Sequence, residues 1–206
     1  GNTIAVELRS PLAAANCAAI EETVAAHARR IGLYHERRWF ANETDGYMGQ
    51  QGIDRVELVK RLRSHGADLS RVILNLAYKK HTPDEIELAI AAAYDAGIRH
   101  ILAVPGDGAG LYAAGDPSAL THFISIAKPA AADIAFGATM NPLAQRYPLH
   151  TLERLCNSGM LQFIQTNAVS ADDPEFSVAR LFLDIFFPET PVSYGVLRGD
   201  SDGSIR

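Results

Sequence analysis

Five polar side chains in this sequence stand where chemistry is expected: Glu7, Asn75, Asp107, Thr139 and Gln165. Each lies within or just past a short apolar run that reads as a buried parallel strand. In parallel α/β folds, functional groups gather at the carboxyl ends of the strands, where the loops converge over one face of the core. Glu7 interrupts Ile4-Ala5-Val6 and Leu8. A carboxylate in a strand buried on both faces costs several kcal/mol unless it is hydrogen-bonded or protonated, and desolvation raises its pKa towards that of a working general acid. The bland alternative is a residue at the wet rim of the sheet. Asp107 lies in Val104-Pro105-Gly106-Asp107-Gly108-Ala109-Gly110, a strand followed by a Gly-rich turn whose backbone amides can approach a ligand. The turn lacks the spacing of a dinucleotide fingerprint or a phosphate-binding P-loop, so by itself it reads as a plain turn.

The elements that must position these residues follow from the apolar pattern. Short β-branched runs alternate with longer stretches of helical period, the signature of parallel strands joined by crossover helices. Strands are expected at residues 3–8, 72–76, 98–104, 134–136, 161–165 and 192–196, with another inside 31–51, where Tyr34, Trp39 and Phe40 fit a strand or a helix. Helices are expected at 16–30, after the Asp54 cap, from Thr82 to about Ala96, and at 149–157 and 174–186. Thr82-Pro83-Asp84-Glu85 is the sharpest local signal, with a cap, a proline at the first helical position and a glutamate three residues after the threonine. The segment from Asn42 to Gly52 reads as a polar loop.

These units recur at about the length of a strand plus its crossover helix, and eight of them complete a (β/α)8 barrel. About seven strands are read here. The expectation is therefore a single domain over residues 1–206, an α/β chain of incomplete barrel type, with an open doubly wound sheet as the alternative. An unclosed barrel leaves a strand edge, so a second copy or a partner subunit is expected to cover it.

Composition narrows the partners. Basic residues number 19 against 24 acidic ones, a formal net charge of −5, and no long basic run would neutralise a phosphate backbone. Nucleic acid is not expected. No apolar run approaches the roughly 20 residues of a membrane span and no secretory leader is read, which predicts a cytoplasmic protein away from membranes. Cys17 and Cys156 have no neighbours at metal-ligand spacing, and the seven histidines, His81 among them, read as surface or helix-cap residues. No metal is expected.

Several segments resemble the methylenetetrahydrofolate reductase family. They are Val6-Glu7-Leu8-Arg9-Ser10-Pro11, Thr82-Pro83-Asp84-Glu85 and Ala96-Gly97-Ile98-Arg99-His100-Ile101-Leu102-Ala103-Val104-Pro105-Gly106-Asp107, the last carrying the specific signal. Asp133-Ile134-Ala135-Phe136, Leu152-Glu153-Arg154 with Gly159, Phe163-Ile164-Gln165 and Tyr194-Gly195-Val196-Leu197 follow in the family's order. The resemblance covers about seven of the family's eight units. It implies a barrel holding FAD at the strand ends, with NAD(P)H and a folate-type molecule taking turns against the flavin. It makes Glu7 the general acid that opens methylenetetrahydrofolate to its iminium form, and Asp107 the aspartate beside flavin and pterin. Gln165 becomes the contact to folate, while Asn75, Gly106, Asp107 and Thr139 line the cofactor. Asn75, Pro105, Thr139 and Leu155 stand where the family carries histidine, arginine, tyrosine and lysine. Two outcomes are thus expected: a flavin-dependent reductase of a folate-linked one-carbon unit, or a flavin-free folate-binding or accessory subunit.

Overall fold

The computed structural model describes residues 5–46, 50–78, 81–106, 117–131, 133–140, 149–166, 181 and 183–193. The chain opens with β1 (Ala5–Leu8), α1 (Cys17–Glu36), β2 (Phe40–Glu43), α2 (Arg55–Ser64) and a single 3-10 turn (Leu69–Arg71). It continues through β3 (Val72–Ala77), α3 (Pro83–Asp95), β4 (His100–Val104) and α4 (Pro117–Ala130). It ends with β5 (Ala135–Met140), α5 (Leu149–Asn157), β6 (Phe163–Thr166) and β7 (Val192–Ser193).

All described ladders are parallel, and the sheet order β1-β2-β3-β4-β5-β6-β7 follows the chain. That order decides between the two expected architectures. A doubly wound sheet reverses direction at a switch point, which sends helices to both faces. Here nothing reverses, so crossovers of one hand place every helix on the same face and the sheet curls as a barrel does. The packing agrees. One large cluster joins helix residues such as Val24, Leu58, Leu62, Ile90 and Phe123 to alternate strand residues Leu8, Ala41, Leu74, Ile101, Phe136 and Ile164. The other strand residues, Ile73, Leu102 and Phe163, with Ala5, Phe40, Val104 and Ala135 against them, form a separate cluster on the concave face. Among the described residues β1 and β7 are not paired, so the barrel is an arc.

The local reasons for the helices are visible. Asn16 caps α1, its side chain accepting from Ala19 N at 2.9 Å. The helix runs past the expected end near Arg30 because Ile31 continues the buried stripe of Val24, His27 and Ala28; Arg38, at φ 60°, follows it in the left-handed region. Thr82 and Glu85 form the predicted reciprocal capping box on α3. Two expectations need correction. The α4 helix was not anticipated, and Asn42, read as the start of a loop, belongs to β2.

Candidate functional site

Strand alternation carries the polar residues onto the concave face. Phe40, Ile73 and Phe163 lie there, so Asn42, Asn75 and Gln165, each two residues further along its strand, share that face nearer the carboxyl ends. The register agrees: Glu7 stands opposite Asn42, and Thr139 opposite Gln165. Gly137 completes the layer below, because a Cβ there would come within 2.3 Å of the Phe163 ring. His100 stacks edge-on against Phe40 at 4.8 Å between centroids and lies 6.3 Å from Phe163, closing the amino-terminal end of the arc with aromatic rings. Burial lowers the His100 pKa, the nearby Arg71 charge adding to the effect, so this end holds a neutral ring.

The carboxyl end is different. The side-chain oxygens of Asn42, Asn75 and Gln165 are buried and have no hydrogen-bond partner among the described residues. Buried polar atoms are nearly always paired, so three unpaired amide oxygens on one concave face mark a surface built to receive donors. Each amide also carries a pair of N–H donors beside its acceptor oxygen.

The expected residues divide as follows. Glu7, Asn75, Thr139 and Gln165 share this face, and Thr139 lies inside β5 rather than beyond it. Gly106 follows β4 with φ 76°, a left-handed backbone that glycine adopts at no steric cost. Asp107 lies outside the described residues. Glu7 is exposed; the desolvation expected for it is absent because β1 is an edge of the arc and no described strand covers its far side. Leu155 is buried in the helix-side core at 2% exposure.

A second cluster, absent from the sequence reading, stands at the same rim. Asp45, just after β2, accepts from Ala77 N at 2.8 Å and pairs with His81 Nε2 at 2.9 Å. Arg55, 1% exposed, donates to Thr44 O at 2.7 Å, to Ser10 Oγ at 2.7 Å and to Ile53 O at 2.6 Å, and its Nε lies 3.4 Å from Asp45 Oδ1. A Cβ at Gly52 would sit 2.7 Å from Arg55 Nη2, so the glycine makes room for the guanidinium. Burial alone would raise the Asp45 carboxyl. The His81 hydrogen bond, the Arg55 charge and the Ala77 amide outweigh it and hold the pKa below the usual value. The Asp45 hydrogen bond in turn raises the His81 pKa. A sequence signal for His81 did exist: it immediately precedes the Thr82 cap, which fixes it at the end of the β3–α3 connection.

On the opposite, helix-facing side, His27 Nδ1 meets Glu43 Oε1 at 3.0 Å with both side chains buried, an internal pair between α1 and β2 remote from the rim amides. Among the described residues no group of three or more metal-ligating side chains occurs, and no helix is long and apolar enough to cross a membrane.

Comparison with known proteins bears on the fold. No family model matches the chain, and no curated protein matches it; the reductase resemblance therefore rests on the residues quoted for it. Solved structures do match. A protein from Clostridium thermocellum that binds two copies of 5-methyl-5,6,7,8-tetrahydrofolic acid superimposes with TM-score 0.62 at 16% identity, over 94% of this chain and 65% of its own. Dihydrodipicolinate synthase from Agrobacterium tumefaciens gives TM-score 0.61 at 16% identity, over 94% of this chain and 63% of its own. The Thermomonospora fusca β-mannanase in complex with mannotriose gives 0.57 at 15% identity, over 98% of this chain and 72% of its own. The chain thus spans less than two thirds of the first two proteins. At these identities the likeness establishes the barrel-type α/β fold.

Proposed function

We propose that the concave face of this barrel arc binds a folate-type molecule by its pterin ring. The observation that carries this is the set of buried, unpartnered amide oxygens of Asn42, Asn75 and Gln165 on one face. A reduced pterin is a bicycle with a planar aminopyrimidinone ring, and its ring N–H groups and amino group present donors along its edge, the complement of such a set. The neighbour that binds methyltetrahydrofolate on a similar fold supports the same choice.

The chemistry of other barrel proteins fits less well. Schiff-base aldol chemistry needs a lysine facing the substrate, and no described strand carries one. Glycoside hydrolysis needs two facing carboxyl groups; among the described residues of the concave face Glu7 is the sole acid, since Glu43 faces α1 and holds His27. The FAD implied by the reductase resemblance was weighed against the same residues. Asn75 and Thr139 suit the edge of a ring system, but the fixed positive charge of Arg71 lies over Phe40 at the amino-terminal end of the face, not beside them where a diphosphate would need it. They do not fit the whole dinucleotide, and no step is derived through it. Flavin-dependent reduction with NAD(P)H as donor is the second reading, favoured by Glu7 standing in register beside Asn42. A second copy covering the β1 edge belongs to this proposal too, and a monomer in light scattering removes it.

Titration calorimetry with tetrahydrofolate tests the first reading. Binding is expected, weakened about tenfold by Asn75→Ala and by Gln165→Ala, the loss of one hydrogen bond each. Unchanged affinity in both variants refutes the amide site. A visible absorbance band after reconstitution with FAD, bleached by NAD(P)H, establishes the second reading instead.

A further inference from the structure

We propose that His81 is a second binding element of the rim, one that receives a carboxylate of the ligand. The inference rests on the folate-type reading above and extends it from the ring to the acidic tail.

The geometry has three parts. First, the imidazole is fixed. Asp45 Oδ2 holds Nε2 at 2.9 Å, and the same oxygen takes the Ala77 amide at 2.8 Å, so the carboxylate is itself held by the backbone at the end of β3. Arg55 secures the other side of Asp45 while its fork is spent on Thr44 O, Ser10 Oγ and Ile53 O. Second, the other nitrogen is not committed. Nδ1 has Glu85 Oε2 at 3.9 Å, beyond hydrogen-bond distance, and that oxygen already accepts the Thr82 amide at 2.7 Å in the capping box. Third, His81 is partly open, with 22% of its side chain exposed where Asp45 and Arg55 are buried at 7% and 2%. A ring anchored at one nitrogen and open at the other presents a donor outward, with little orientational entropy left to lose on binding.

Charge decides what that donor takes. Among the described residues the charged groups facing His81 are Asp45 from the loop after β2, Arg55 from α2 and Glu85 from α3. Asp45 and Arg55 balance each other in the buried layer. Glu85 is more than half exposed and screened by water. The Asp45 bond raises the His81 pKa, which keeps the ring protonated over more of the neutral range, and a protonated imidazole with one N–H available is a carboxylate receptor. Among the described residues Arg71 lies over the Phe40 ring at the amino-terminal end of the concave face, the opposite end from the amides, and His81 offers an acidic tail its donor at the carboxyl-end rim. The same pairing is lost as pH rises through the folded His81 value, because the one N–H of the neutral ring stays on Nε2, donating to Asp45, and Nδ1 has none to offer.

Calorimetry with two probes separates this from the ring-binding reading. Tetrahydrofolate carries the benzoylglutamate tail; methyltetrahydropterin has the same reduced bicycle without it. In wild-type protein both probes are expected to bind, with a preference for tetrahydrofolate that declines as pH rises through the His81 pKa. His81→Gln keeps a donor for Asp45 and removes the charge. It is expected to lower the preference for tetrahydrofolate over methyltetrahydropterin about tenfold and to flatten its pH dependence. If the variant does not fold, the pH dependence of the wild-type preference carries the test. Binding of both probes with a preference that is pH-independent, or unchanged in His81→Gln, overturns the role of His81 and leaves the amide site standing. Failure of both probes to bind overturns the amide site, and this inference with it.

Discussion

Arg55 keeps a full positive charge with almost none of its surface in water, and burial works against that charge while Asp45, Glu43 and Asp54 favour it. A buried ion survives only when its partners are complete, and removing one member of such a pair costs about 3 to 5 kcal/mol. Arg55→Met leaves Asp45 without its countercharge and strips donors from Thr44 O, Ser10 Oγ and Ile53 O. A loss in that range is expected in urea unfolding at neutral pH. The sign of the pH dependence follows from the two shifted groups. Asp45 has its folded pKa lowered from 3.8, so its contribution is complete above that value and is lost as pH falls through the lower folded value. His81 has its folded pKa raised from 6.5, so its contribution is complete below that value and is lost as pH rises through the higher folded one. Between the two neither group contributes a slope, while the buried His100, its folded pKa lowered from 6.5, adds a loss as pH falls below that value. In Asp45→Asn both the acid limb and the alkaline limb should shrink, since the Asp45 bond is the main cause of the His81 shift. An unaltered pH profile in that variant refutes the coupling.

At the scale of elements, the concave layer is built tightly. Gly137 sits under the Phe163 ring, with ring atoms 2.3 to 2.5 Å from where a Cβ would stand. Gly137→Ala must displace the Phe163 ring, and overpacking of this kind costs about 1 to 3 kcal/mol. Thermal unfolding is expected to show the loss; a neutral outcome means the layer yields. Elements such as α3 were legible because their signals are local: a threonine cap, a proline and a glutamate act within one turn. Others were hidden because a tertiary fact decides them. Asn42 looks like loop material, and only the curl of the sheet makes a polar strand residue sensible. The same feature that concealed β2 belongs to the site. α4 falls in a stretch to which the sequence reading gave no element; Pro117 is its first residue and Pro129 lies one short of its end, positions a helix tolerates. For Glu7 the strand was recognised and two settings were open, a buried carboxylate or a residue at the wet rim; it stands exposed in β1, the first strand of the arc, a fact that no spacing within the strand reveals. The Asp45, Arg55 and His81 cluster joins segments after β2, at the start of α2 and before α3, and such convergence becomes visible only once the register is known.

For the whole molecule, the sequential strand order ties neighbouring units to each other and leaves the ends of the arc joined only through the core. The larger, helix-side cluster of that core is nonetheless continuous, reaching from Leu8 in β1 through the helices to Leu183 and Phe187, with the small concave cluster on the other face of the same strands. Domains held by a single core unfold cooperatively, whereas units held by separate cores do not. Trp39, the single tryptophan, lies just before β2 and stacks with Arg37, its ring centroid 5.2 Å from the guanidinium, so its fluorescence reports the first third of the sheet. Far-UV circular dichroism reports all the helices. The two urea transitions should coincide, and a fluorescence transition preceding the dichroism one would mean that β1 to β3, with the Arg55 cluster, detach as a unit. A ligand held by Asn42, Asn75 and Gln165 would bridge β2, β3 and β6, and so both halves of the arc. Tetrahydrofolate at a hundred times its Kd should therefore stabilise both transitions equally, by about 2.7 kcal/mol. A shift confined to one of them would place the ligand on only part of the face, and the bridging geometry would fail with it.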